Sequence, residues 1–172
     1  MLQKVNLFGL VLNRYQVLSK IPQQLHQVTI GSTTVHCCDV VRYLGVYLDS
    51  ELTMKKHTSK TVSTCYYHLR KLYHLRRLVS QFVMKQLVTS FVLQHIDYCN
   101  SLLVNLPAST TASLQRVQND AARLILGLDR RAHITPALKK LHWLPIQYRI
   151  QFKIAVLCTS VFIAVVLSTS SI

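Results

Sequence analysis

Between Glu51 and Asp97 the chain carries no acidic residue, yet its apolar side chains recur there with helical spacing. Over residues 58–79, Val62, Cys65, Leu69, Leu72 and Val79 fall three, four or seven apart, which places them on one stripe of a helix. Tyr67, Arg70, His74 and Arg77 repeat at three and four on the opposite side, with Lys71 and Arg76 beside them. The predicted helix is amphipathic, and its outer cations have no Asp or Glu at i,i+4 to neutralise them. Such a face is either a solvated surface or a surface for a polyanion. Each Lys or Arg placed near a phosphate releases condensed counterions and adds a salt-dependent increment to affinity, without reading sequence. Tyr67 is of a type that stacks on a base or sugar.

The rest of the composition agrees with that sign. Twenty Lys and Arg against six Asp and Glu leave a formal charge of +14, a field that favours phosphate-rich partners: nucleic acid first, an anionic membrane second. With 172 residues, half of them hydrophobic, the chain is the size of one domain and has the apolar side chains to bury a core, so a disordered chain is not expected. Cys37, Cys38, Cys65, Cys99 and Cys158 are odd in number and form no Cys-x-x-Cys pair, which fits free thiols in a reducing compartment. Only Lys4 precedes a short apolar run near the N-terminus and no small-residue cleavage site follows, so no secretory signal is expected.

Along the chain, residues 1–18 fit a short helix or strand equally well. Val28-Thr29-Ile30 and Thr33-Thr34-Val35 flank Gly31-Ser32, a two-residue link of the kind that closes a hairpin. Residues 40–48 are β-branched and aromatic, and predict a further strand pair in which Gly45 permits close backbone approach. In 81–94, Val83, Leu87, Val88 and Phe91 predict a core helix. After Leu106-Pro107, Ser109 or Thr110 offers an N-cap for a helix through Ile125 with Gly127 as its stop. Its apolar seam is Leu114, Val117, Ala121 and Leu124, leaving Gln115, Arg116, Gln118, Asn119 and Arg123 outside or at a helix interface. Thr135-Pro136 reads as the start of a short helix ending near Leu141, and Pro145 starts a last one carrying Ile146, Ile150 and Ile154, with Arg149 and Lys153 facing away. Trp143, between two helices, is expected to close the core.

Three blocks are more specific than these periodicities. They are Ile96-Asp97-Tyr98-Cys99-Asn100-Ser101-Leu102-Leu103, the run Leu114-Gln115-Arg116-Val117-Gln118-Asn119-Asp120-Ala121-Ala122-Arg123-Leu124, and Leu141-His142-Trp143-Leu144-Pro145. In this order they resemble DYCNSLL, LQxVQNxAARL and LHWLP, found just after the polymerase core in reverse transcriptases of non-LTR retrotransposons, the LINE-type elements. Tyr43-Leu44-Gly45-Val46-Tyr47-Leu48-Asp49 is similar to the YLG segment at the end of their palm. Near the N-terminus the Lys-Thr-Glu that follows Leu-Asn in the family does not follow Leu12-Asn13.

The resemblance implies a mostly α protein with a small N-terminal β-hairpin element: a palm-end segment over 1–54, a helical thumb-like bundle over 55–157 and a divergent apolar tail over 158–172. It makes Tyr43, Leu44 and Gly45 primer-grip-like. It also sets Lys60, Tyr67, Arg70, Lys71, Arg76 and Arg77 against RNA or DNA backbones, weakly and without sequence preference. Two-metal polymerisation needs carboxylates that hold the ions on the attacking and leaving oxygens. In the family these lie upstream of the YLG strand, and none of the six acids here is adjacent to another. No polymerisation, catalytic residue, metal or cofactor is therefore expected of this chain.

The tail adds two alternatives. Residues 154–172 are uncharged and largely apolar, long enough for a C-terminal membrane anchor. The family's FKxAxL is followed by VYKCL, whereas Phe152-Lys153-Ile154-Ala155-Val156-Leu157 is followed by Cys158-Thr159-Ser160-Val161-Phe162. Deleting the first base of GTG TAC AAG TGT CTT gives TGT ACA AGT GTC TT, which reads Cys-Thr-Ser-Val-Phe before a pyrimidine. We therefore expect a lost nucleotide after Leu157, which would make the tail accidental sequence and not a selected anchor; a C-terminally anchored membrane protein and a transposon remnant without selected function are the alternatives, and a downstream reading frame that restores no Tyr-Lys-Cys-Leu would contradict the deletion. Intracellular localisation, nuclear or cytoplasmic, follows if the tail stays out of membranes. Oligomeric state is not fixed by any of these features.

Other reactive residues read as structural. Cys65-x-x-His68 offers two metal ligands, but no set of four is visible. His95, Asp97, Cys99 and Ser101 include nucleophile and base types without a Gly-rich elbow, and are expected to settle a helix-to-loop junction with Tyr98 and Asn100. Cys37 and Cys38 read as buried thiols.

Overall fold

The computed structural model of the protein describes residues 27–30, 33–36 and 39–169, and side chains over 39–163. The expectations placed on 1–18, on the Gly31-Ser32 turn and on Cys37 and Cys38 lie outside the described residues. The chain is mostly α-helical with small antiparallel hairpins on its N-terminal side, and falls into two compact units, Met1–Thr53 and Met54–Ile172.

In the first unit, β1 (Gln27–Ile30) pairs with β2 (Thr33–His36), with Ile30 opposite Thr33 across the two-residue link. β3 (Val40–Tyr43) pairs with β4 (Val46–Asp49), Tyr43 opposite Val46. Leu44 and Gly45 form that turn with φ of 45° and 81°, the positive values a tight two-residue hairpin turn requires. Gly45 thus serves the turn itself. Asp49 ends β4 by accepting from the Thr53 backbone N–H at 2.6 Å and from its hydroxyl at 2.8 Å.

The second unit is a helical bundle. Its elements are α1 (Lys55–Leu75), α2 (Gln81–Val88) continuing through a π-helical turn (Thr89–Leu93) into α3 (Gln94–Asp97), a 3₁₀ turn (Asn100–Leu103), α4 (Ala108–Leu126), α5 (Ile134–Leu141) and α6 (Ile146–Thr169). α4 is the hub, packing against α1, α2, α5 and α6. Leu114, Val117, Ala121 and Leu124 are buried as their spacing predicts, joined by Ala122 and Ile125. Across from them lie Cys65, Leu69 and Leu72 of α1, while Val62 and Val79 are only half-buried. Trp143 is buried, as are Ile146 and Ile150, while Ile154 is half-buried.

Several boundaries shift for identifiable reasons. α1 runs from Lys55 to Leu75, and just past its end the Arg76 guanidinium turns in: its Nε donates to the Leu124 carbonyl at 2.8 Å. A cation on the open carbonyls of a helix C-terminus complements the helix dipole. Gly127 ends α4 at φ 66°, as expected, and its bare Cα also leaves room for Arg76, since a Cβ there would lie 2.8 Å from Nη2. α4 starts at Ala108 with Pro107 as N-cap, so neither Ser109 nor Thr110 caps it; proline's fixed φ already sets the entry. α5 starts at Ile134, which puts Pro136 in the first turn, where a missing N–H costs nothing. In α2 the buried line is Met84, Val88, Val92 and Ile96, while Val83 and Phe91 are exposed and Leu87 is half-buried. Steps of four overshoot a turn of about 3.6 residues, and the wider π turn absorbs the drift.

The last helix is fixed by side chains from α4. Gln115 Oε1 accepts the Ile146 N–H at 2.9 Å, capping α6 where Pro145 can offer no hydroxyl. Its Nε2 donates to Gln118 Oε1 at 2.9 Å and to Asn119 Oδ1 at 2.8 Å, and fully buried Gln118 donates to the Leu144 carbonyl at 2.8 Å. Arg149, expected to face away, is half-buried and paired with both oxygens of Asp97. α6 then runs unbroken across Leu157, so 158–169 continue its helix. Loss of a helix cap typically costs about 0.5–2 kcal/mol, so Gln115→Ala is expected to lower the unfolding free energy obtained from urea titration by an amount in that range, and Gln115→Glu, which keeps the acceptor but loses the donor to Gln118 and Asn119, should lower it as well.

Candidate nucleic-acid interface

Burial of Cys65, Leu69 and Leu72 fixes the rotation of α1, and with it the face that looks outward. On that face Lys60, Arg70, Lys71 and His74 are exposed, and Arg77 is exposed in the turn that follows. Tyr67 is 47% exposed, and the Lys71 ammonium lies 4.5 Å from its ring centroid, a cation–π contact that holds the ring and the charge together. Of the six residues that the sequence sets against nucleic acid, Lys60, Tyr67, Arg70, Lys71 and Arg77 share this exposed side. Arg76 does not belong with them, because it is half-buried on the end of α4.

Tyr43 and Leu44 are exposed at the tip of the β3–β4 hairpin, with Gly45 in the turn. They lie in the other compact unit from α1.

Three of the carboxylates are already engaged. Asp97 takes Arg149 and, at 3.3 Å, the Asn100 side-chain amide; Asp120 accepts from the Tyr66 hydroxyl at 2.9 Å and from Arg123 at 3.1 Å; Asp49 holds Thr53. Burial, and then the neighbouring Asp120, push the Tyr66 hydroxyl pKa up.

The reactive residues are likewise occupied. Cys65 is fully buried with its Sγ 3.7 Å from the Val92 carbonyl, and burial pushes its pKa up to about 12, so it stays a protonated thiol and a poor metal ligand. His68, the other member of the Cys-x-x-His pair, stacks on Phe91 and His95, with ring centroids 5.6 Å away in each case, and meets the edge of Tyr67 at 5.4 Å. His95 is thus engaged with His68 and Asp97 with Arg149. The four reactive types between His95 and Ser101 do not form a nucleophile–base pair.

No family model, no curated protein and no solved structure matches this chain.

The ring stack is not visible in the periodicity, although the i,i+4 spacing of Phe91 and His95 is its sequence signal. Burial lowers the pKa of His68, and His95 and Lys71 lower it further; burial alone lowers that of His57. Both folded values lie below the ordinary 6.5, so the unfolded chain takes up protons first as pH falls. Above 6.5 neither group affects stability; below it the folded state loses ground. The urea midpoint should therefore fall between about pH 7 and about pH 5, and His68→Phe should reduce that fall. A midpoint that rises on acidification would contradict this assignment.

Proposed function

We propose that this chain is a thumb-like fragment of a LINE-type reverse transcriptase that grips RNA or DNA backbones through the outer face of α1 and does not itself transfer nucleotides. The observation that carries the reading is the exposure of Lys60, Arg70, Lys71 and Arg77 in a stretch with no acidic residue between Glu51 and Asp97. Unneutralised cations on a rigid helix present a fixed positive surface to a polyanion, and phosphates supply the missing counter-charge. The resemblance of the three blocks supplies the lineage. Engagement of Asp49, Asp97 and Asp120 in structural bonds supports the non-catalytic part, since each carboxylate already has its partners.

Binding measured across salt concentrations tests this directly. Replacing Lys60, Arg70, Lys71 and Arg77 together by Ala should flatten the log K against log salt slope by up to roughly 0.9 for each duplex phosphate that the variant no longer neutralises. Lys139→Ala with Lys140→Ala, on α5, should leave the slope nearly unchanged, and Arg76→Ala should act on stability. A slope unmoved by the α1 changes, or metal-dependent primer extension above background, would overturn the proposal.

A second reading has its own observation. No charged residue follows Lys153, and every residue from 155 to 163 is exposed, on all sides of α6. Among the described residues one helical stretch, Ile134–Ile163, is long and apolar enough, by length and composition, to cross a membrane. A helix apolar all round suits lipid better than a one-sided protein groove. Flotation with vesicles containing phosphatidylserine, with and without residues 158–172, tests it; tail-independent flotation would rule out an anchor.

A further inference from the structure

We propose that the ring cluster where α1 meets the π-helical turn is a stacking platform for unpaired nucleobases, which makes single-stranded RNA or DNA, in preference to duplex, the ligand of this surface. This rests on the phosphate-binding reading above and narrows it to a substrate class.

The platform is built from two elements. α1 supplies Tyr67 and His68; the helix that crosses it supplies Phe91, within the π turn, and His95 one turn on. The His68 ring is shared: it lies nearly parallel to Phe91, with an interplanar angle of 25°, and to His95, at 13°, while Tyr67 meets it edge-on at 77°. Parallel offset rings are the arrangement that a further planar π system extends.

These rings are not core. Phe91 is 45% exposed, while Met84, Val88 and Val92 of the same helix are fully buried. The π turn makes the difference. It keeps Val92 and Ile96 in line with Met84 and Val88, which leaves Phe91 and His95 on the outer side. Apolar rings held at a surface without closing a core are left with area that a ligand can cover.

The charge around them selects that ligand. Lys71 sits over the Tyr67 ring and belongs to the cationic face, with Arg70 next to it on the helix. A nucleotide offers both complements, a flat π face and an adjacent phosphate. In duplex the base faces are covered by their neighbours, so only an unpaired strand presents both. Stacking on aromatic rings tolerates any base, which agrees with the absence of a sequence-reading element.

The test is fluorescence anisotropy of the full chain with three labelled probes of about 12 nucleotides: oligo-deoxyadenylate, an abasic chain of the same length, and a duplex. Oligo-deoxyadenylate should bind about five- to hundredfold more tightly than the abasic chain, and more tightly than the duplex. Tyr67→Leu with Phe91→Leu should bring it to the abasic level without altering the salt slope, and Phe91→Tyr should retain the preference. Equal binding of oligo-deoxyadenylate and the abasic chain overturns the platform and leaves the phosphate reading standing. A tighter duplex, or a base preference that survives the Leu variants, overturns it equally. Failure to bind any probe removes both readings, and capture of an acidic protein in place of all three probes would point the surface elsewhere.

Discussion

The side-chain amide of Gln115 joins α4 to the start of the last helix, 31 residues further along the chain. Its oxygen caps α6 through the Ile146 N–H, and its nitrogen bonds Gln118 and Asn119 one turn along α4. Gln118, with no exposed surface, carries the link on to the Leu144 carbonyl. A buried amide is tolerable only when its groups are paired, and an unpaired one costs roughly 1–3 kcal/mol, so the arrangement holds as a unit. The Asp97–Arg149 pair ties the same helix to the junction after α3. The three blocks that carry the resemblance, around 97–103, 114–124 and 141–145, therefore meet at one place, the start of the last helix. Asp97, Gln115, Gln118 and Asn119 serve this joint.

The consequence reaches the opposite side of the bundle. α4, held at one end by α6, receives Cys65, Leu69 and Leu72 of α1 along its length and takes Arg76 at its C-terminus. Those contacts set the rotation of α1, and the rotation exposes Lys60, Arg70 and Lys71. Because the interior joint uses neutral amides and consumes Asp97, while Asp120 serves Tyr66 and Arg123, few of the six acidic residues remain to face the twenty Lys and Arg. Stability and surface field thus follow from the same allocation of polar residues.

Periodicity makes much of this legible. The α1 stripe, the α4 seam, the stop at Gly127 and both hairpins can be read directly, since burial on one face leaves a repeat of three and four and a turn leaves its glycine. What it does not show are the places where a polar group is drawn inward by a partner far along the chain. Arg76 and Arg149 look like solvent-facing cations until the Leu124 carbonyl and Asp97 come into reach, and Gln115 looks like a surface residue until Ile146 arrives above it. The slip in α2 has a different origin, because a π turn changes the period itself. A regular helical period puts Phe91 in the core for that reason, and its exposure turns a packing residue into part of a surface.

The central proposal is phosphate contact by the outer face of α1, whose rotation the burial of Cys65, Leu69 and Leu72 fixes. Lysine footprinting tests it most directly: mild acylation of the folded chain with and without a single-stranded oligonucleotide, with modification read at each lysine by mass spectrometry. Strong protection of Lys60 and Lys71 is predicted, with Lys139 and Lys140 reacting as before. Protection confined to Lys139 and Lys140, or spread evenly over all lysines, would contradict it.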